Sequence, residues 1–208
     1  LHEATTNDLL YFAKERQILE AERRVLGSQE LLMLPRQYKD SAFPQMNHVV
    51  VYTLDRTPNV GLLKQALEAA IVSHPLLRSR VEGDGEPEKR IDLLQMVRSG
   101  DPNPLIFVTL DDIPDDVLIV IESNNLEASW KESFRRDLDN GSWCNVETGP
   151  LWKMELHTST NDEKCALLFS FNHAISDQSS ANRLVNQILD SLAALEANEP
   201  VPNVMPQS

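Results

Sequence analysis

A histidine that could act as a general base, His173, and an aspartate, Asp177, stand four residues apart in the segment NHAISD (172–177). A neutral imidazole can take a proton near neutral pH, because the unperturbed pKa of histidine is about 6.5. An aspartate across a tight turn can fix the loop, by capping a helix or by pairing with an arginine. On spacing alone, the simpler alternative is a structural histidine, satisfied by hydrogen bonds at the end of a strand.

The segment lies between a predicted strand and a predicted helix. Residues 165–171 form an apolar run typical of a buried strand, and residues 151–157 alternate and precede it across a turn sequence. We expect the two to pair as antiparallel neighbours. From Ser179 the apolar residues take the helical period and share one face: Ala181, Leu184, Val185, Ile188, Leu192 and Leu195. His173 is therefore predicted at the edge of a sheet, where open α/β sheets build their sites.

The rest of the chain alternates between helix and strand. Strands are predicted at 49–54, 105–110 and 117–121, and helices at 8–24 and 126–138. A further helix runs from a capping segment at 57–59 to Pro75, with one apolar stripe of Leu63, Ala66, Leu67, Ala70 and Ile71. This interspersion predicts an α/β fold of two layers, with a mixed β-sheet flanked by helices.

Composition excludes several classes of partner. The chain has 208 residues and a formal net charge of -13, which argues against binding to nucleic acid or to anionic lipid. No run approaches the roughly 20 apolar residues of a membrane helix. The two cysteines, Cys144 and Cys165, lack metal-ligand spacing. We expect no metal, no nucleic acid, no membrane span and a cytoplasmic location.

Three stretches, in order, resemble the superfamily of condensation domains and CoA-dependent acyltransferases, which includes chloramphenicol acetyltransferase. LLFSFNHAISDQSSANRLVNQIL (167–189) is similar to its HxxxD segment, in which a strand ends in the motif and a long helix follows. LKQALEAAIVSHPLLRSRV (63–81) resembles its early helix and the HPLLR turn into a strand. RRVLGSQELLML (23–34) resembles the opening of the alcohol acetyltransferase and polyketide-associated branch.

The resemblance implies acyl transfer from a thioester to a hydroxyl or an amine. His173 would be the general base, and the donor would be acyl-CoA or an acylated phosphopantetheinyl carrier protein, used as co-substrate with no bound cofactor. Asp177 would be structural, orienting the loop. We expect Arg78 of the HPLLR turn to be its ionic partner, and Ser176 to donate a hydrogen bond within the loop.

Two positions depart from the family pattern. Gln178 stands where the family commonly has glycine, whose backbone can approach a substrate closely, so this residue affects substrate access. A helix beginning near Ser179 could supply amide donors for an oxyanion instead. Asn172 stands where many members have a second histidine.

Family members consist of two similar halves, and this chain has the length of one. We therefore expect residues 1–198 to be a chloramphenicol acetyltransferase-like N-terminal half and residues 199–208 to begin the linker to a missing second half. The isolated half is expected to be inactive and to form a homodimer through its exposed face. Two alternatives stay open: a condensation domain that forms amides, and a non-catalytic interaction module with a degenerate half-fold.

Overall fold

The computed structural model describes residues 23–34, 47–83, 105–110, 117–139, 144–161 and 163–202. They form seven strands, three longer helices, one short helix (α1) and a 3-10 turn at Pro75–Arg78. In chain order the elements are β1 (Arg23–Val25), α1 (Ser28–Met33), β2 (Asn47–Leu54), α2 (Val60–Ser73), β3 (Ser79–Gly83), β4 (Leu105–Thr109), β5 (Leu118–Ser123), α3 (Leu126–Asp139), β6 (Trp152–Ser159), β7 (Cys165–Asn172) and α4 (Gln178–Glu196).

The site is carried by a four-stranded sheet in the order β2-β7-β6-β5. Strand β7 pairs antiparallel with both β2 and β6, whereas β6 and β5 run parallel. The predicted mixed sheet and the predicted antiparallel pair at 151–171 are both confirmed. All eight residues of β7 are buried, as its unbroken apolar run predicts for a central strand.

One face of this sheet is apolar and is covered by α2 and α4. The stripe predicted for α2 is confirmed residue by residue as its buried face. The helix begins after Asn59, whose side chain accepts hydrogen bonds from the amides of Gly61 and Leu62. The buried face of α4 likewise contains the predicted residues from Ala181 to Leu192. These helices and the sheet enclose the larger of two cores.

The opposite face of the sheet is polar and is covered by α3, which packs on β2, β6 and β7. Asp137 of α3 is fully buried, and its carboxylate accepts from Ser170 Oγ at 2.6 Å and pairs with Lys153 Nζ at 2.9 Å. Lys153 Nζ also lies 2.6 Å from Glu155 Oε1. The predicted α/β class with a mixed sheet flanked by helices is thus confirmed, with α2 and α4 on one face of this sheet and α3 on the other.

The network beneath α3 keeps the carboxylate of Glu155 charged. Burial raises the pKa of Glu155, but hydrogen bonds from His157, Lys153 and Ser133, and the charge of Lys153, together hold it well below its usual range. A buried carboxylate is retained only where such partners replace its hydration.

A second, three-stranded antiparallel sheet has the order β1-β4-β3. It encloses a smaller core that reaches from Leu26 to Ala174 and contains ten buried hydrophobic residues among those that the structure describes. The prediction of a helix at 8–24 was wrong at its C-terminal end. Arg23 and Arg24 belong to strand β1, which pairs with β4. The remainder of that predicted helix lies outside the described residues. In the part of the chain that the structure describes, none of the helices has the length and apolarity needed to cross a membrane.

Asp137→Ala is expected to lower the free energy of unfolding by about 1–3 kcal/mol, because Ser170 loses its buried acceptor and Lys153 loses one buried carboxylate partner while it keeps Glu155. The matched control is Asp139→Ala, at the exposed end of the same helix, with an expected change within about 0.5 kcal/mol. Urea unfolding followed by circular dichroism measures both. Equal losses in the two variants would show that the network does not stabilise the α3 face.

Candidate functional site

The segment 173–177 forms a short loop between β7 and α4, at the place where the two cores meet. Ala174 is buried in the smaller core, and Ile175 packs against both cores. The backbone turns tightly, since the amide of Ile175 donates to the carbonyl of Asn172 at 3.0 Å and the amide of Ala174 donates to Asn172 Oδ1 at 2.9 Å. These two hydrogen bonds to Asn172 fix the backbone of the turn that carries His173.

His173 differs from the other histidines that the structure describes. His74 lies 2.6 Å from Gln187 Oε1, and His157 is fully buried between Ser129 and Glu155 at 2.8 and 3.1 Å. His48 also has two polar neighbours. Within the described ranges, no group hydrogen-bonds to the imidazole of His173, which is half-buried. The alternative of a histidine satisfied by hydrogen bonds at a strand end therefore does not describe this residue.

The imidazole of His48 lies beside that of His173, and the sequence analysis did not identify it as part of the site. The register of β2 on β7 places His48 opposite Phe171, two residues before His173. The centroid of the His48 ring lies 5.6 Å from that of His173 and 5.9 Å from that of Phe171. The sequence shows only that His48 precedes the strand predicted at 49–54. It does not show which strand pairs with that one.

Gln178 and Ser176 each contact one of the two ring nitrogens of His48. Gln178 Oε1 lies 3.5 Å from His48 Nε2, and Ser176 Oγ lies 3.4 Å from His48 Nδ1. Ser176 Oγ also donates to the carbonyl of Asp177 at 3.2 Å, the hydrogen bond that was predicted within the loop. Gln178 Nε2 donates to Asn182 Oδ1 at 2.9 Å, so its side chain runs along α4.

Asp177 is the N-cap of α4, and its carboxylate accepts from the amide of Ser180 at 2.7 Å. That hydrogen bond holds the pKa of Asp177 below its ordinary value. The predicted ion pair with Arg78 is wrong. Arg78 is buried at the 3-10 turn, where its Nη1 donates to the carbonyl of Leu110 at 3.0 Å, whereas Asp177 is exposed. The carboxylate of Asp177 is engaged in capping α4 at the surface, whereas Arg78 is buried, so the two charges do not meet.

Cys144 lies behind the loop, in the smaller core. Burial raises the pKa of its thiol to about 12, so it is not a nucleophile near neutral pH. Among the described residues, no three His, Cys, Asp or Glu side chains come together as metal ligands would. His173 and its neighbours are therefore the chemical groups that this part of the structure offers for a reaction.

Solved structures share this arrangement of elements. The starter condensation domain of rhizomide synthetase RzmA matches with a TM-score of 0.68 at 15% identity, over 88% of this chain and 40% of that chain. The condensation domain of the Monacolin K polyketide synthase MokA matches with a TM-score of 0.64 at 13% identity, over 90% and 37%. The chain has the fold of condensation domains.

The condensation-domain fold also occurs in the epimerization domain of tyrocidine synthetase B, which matches with a TM-score of 0.66 at 13% identity, over 90% of this chain and 38% of that chain. A further structure of the RzmA starter condensation domain, a complex with C8-CoA, matches with a TM-score of 0.65. This chain spans about two fifths of the length of these neighbours. No protein-family model and no curated protein sequence matches it.

Asp177→Asn is expected to leave the free energy of unfolding nearly unchanged, because the amide oxygen of asparagine also caps a helix. Asp177→Ala removes the cap and is expected to cost about 1 kcal/mol. Urea unfolding of the two variants separates capping from ion pairing. If asparagine destabilises as much as alanine, the charge of Asp177 matters and a cation pairs with it.

The pKa of His48 is expected below the ordinary value for histidine. Burial lowers it, and the charge of protonated His173 lowers it further, while the hydrogen bond to Gln178 and the carboxylate of Asp177 act in the opposite direction. His173→Ala should therefore raise the pKa of His48, and Gln178→Leu should lower it. A pH titration of the histidine resonances by NMR measures both shifts. Shifts of the opposite sign would contradict the geometry of the site.

Proposed function

We propose that this chain is part of an acyltransferase that moves an acyl group from a thioester to a hydroxyl or an amine. His173 is its general base. The observation that carries the proposal is the state of that side chain: an imidazole fixed on a rigid loop between two cores, half-buried, and with no hydrogen bond to either nitrogen among the described residues. A base must have a nitrogen available to the substrate, and the other described histidines have polar partners.

The reaction follows from the chemistry of the imidazole. The acceptor hydroxyl or amine donates its proton to His173 as its oxygen or nitrogen attacks the thioester carbonyl. The new C–O or C–N bond forms, the C–S bond breaks, and the protonated imidazole returns its proton to the leaving thiolate. No acyl-enzyme is required, because holding base, acceptor and thioester together supplies the proximity that the step needs.

The role of Asp177 in this proposal is to position the loop. Its carboxylate caps α4 and fixes the residue at which the loop ends. It also places a negative charge at the N-terminus of that helix, and one amide there is already taken by it. The negative charge of Asp177 would repel an oxyanion at the same helix end, so the amides near Ser179 are a poor oxyanion site.

The donor is proposed to be an acyl-CoA. A neighbour with this fold has been solved with C8-CoA, which supports CoA over a carrier protein as the first donor to test. The chain spans about two fifths of the length of its structural neighbours, and we propose that residues 1–198 form one half of such a domain, in the cytoplasm. A tunnel between the two halves would then bring the donor to His173.

The test is thiol release from C8-CoA in the presence of an alcohol or amine acceptor, with the protein at its natural length. His173→Ala is expected to lower the rate by about 10²–10⁴-fold, the usual contribution of a general base. His74→Ala is the matched control, since His74 also contacts α4 but through Gln187, remote from the loop. Its rate should equal that of the wild type.

Equal rates for the wild type and His173→Ala would reject His173 as the base. Absence of thiol release in the wild type, together with tight binding of C8-CoA, would favour the alternative of a non-catalytic binding module. An amine acceptor that is used far better than any alcohol would identify the reaction as amide formation.

A further inference from the structure

We propose that His48 is a positioning residue for His173, and that its neutral ring fixes the orientation of the catalytic imidazole. The inference rests on the proposed role of His173 as the base. His48 is far from His173 in the sequence and lies beside it because β2 pairs with β7.

The first argument is the stacking of rings. Phe171 belongs to the larger core, and its ring is stacked with those of Phe169 and Trp152 at centroid distances of 6.1 Å. His48 stacks on Phe171 at 5.9 Å with an interplanar angle of 25°, and His173 follows at 5.6 Å and 33°. His48 is therefore the ring that connects the buried aromatic stack to the catalytic imidazole.

The second argument is the tautomer of His48. Gln178 Nε2 donates to Asn182 Oδ1, and Tyr52 Oη donates to the same oxygen at 2.5 Å. The Gln178 amide is thereby oriented with its Oε1 towards His48 Nε2. An acceptor at this position requires the proton of neutral His48 on Nε2 and makes Nδ1 an acceptor, to which the single hydroxyl hydrogen of Ser176 turns in place of the carbonyl of Asp177.

The positioning role requires the ring of His48 to be uncharged. During the reaction His173 becomes positively charged, and a second cation 5.6 Å away would oppose that step. The groups that face His48 are His173, Phe171, Ser176, Gln178 and the carboxylate of Asp177. Partial burial lowers the pKa of His48 and so favours the neutral ring, which packs beside His173 without repelling its proton.

The contact is tested directly by long-range proton–nitrogen NMR spectra of the histidine rings in the 208-residue chain. In the wild type, His48 should show the tautomer with the proton on Nε2. His48→Leu should shift the ring resonances of His173 and leave those of His157, on the far face of the sheet, unchanged as a check of folding. Gln178→Leu, at an exposed residue, should mix the His48 tautomers. Unchanged His173 resonances in His48→Leu would overturn the proposal.

The consequence for catalysis is tested in the thiol-release assay with C8-CoA and the protein at its natural length. His48→Leu is expected to lower kcat about tenfold or more with KM for C8-CoA within about twofold, because a misoriented base slows chemistry more than binding. His48→Phe keeps a neutral ring and should restore kcat to within about threefold of the wild type. His74→Leu is the control without effect. A wild-type kcat in His48→Leu, or a change confined to KM, would overturn the positioning role.

The two proposals fail in different ways. If His173→Ala releases thiol at the wild-type rate, the proposed base is wrong, whatever His48 does. If His173→Ala is inactive but His48→Leu is fully active, the base stands and the positioning role of His48 is rejected.

Discussion

The antiparallel pairing of β2 with β7 is the constraint on which the site depends. Its register sets Asn47 opposite Asn172 and His48 opposite Phe171. From the same strand end, Asn47 Nδ2 donates to the backbone carbonyl of Asp137 at 2.5 Å and so connects the strand end to α3. A shift of one residue would turn His48 to the opposite face of the sheet and remove it from His173. That shift would be costly, since it would turn Val50, Tyr52 and Leu54 of β2 away from the larger core.

The two faces of the four-stranded sheet are stabilised by different physical effects. Towards α2 and α4 the contact is apolar and gains stability from the area removed from water. Towards α3 the buried residues Asp137, Glu155 and His157 meet the partly buried Lys153, whose ammonium group pairs with both carboxylates. Such a network contributes less net free energy than an apolar face, but it allows few alternative arrangements and so defines where α3 lies.

The fold by itself leaves the reaction open, because condensation and epimerization domains share it. Which reaction a protein of this fold performs depends on the side chains at its site. Here the loop combines a histidine whose ring nitrogens have no hydrogen-bond partner among the described residues, an N-cap aspartate that begins α4, and Gln178, whose side chain lies beside His48. Gln178 therefore contacts a residue that the HxxxD motif does not include.

Much of the local structure could be predicted from the sequence. The stripes of α2 and α4, the cap at Asn59 and the apolar run of β7 are local patterns, because helix and strand periodicity involve residues near each other in the chain. The sequence alone also determined that a histidine follows a buried strand and that an aspartate begins a helix. Only the tertiary structure decided what those residues touch. The error on Arg78 and the omission of His48 have the same cause: both depend on contacts between residues far apart in sequence, and these are set by sheet register and packing, which a local pattern does not contain.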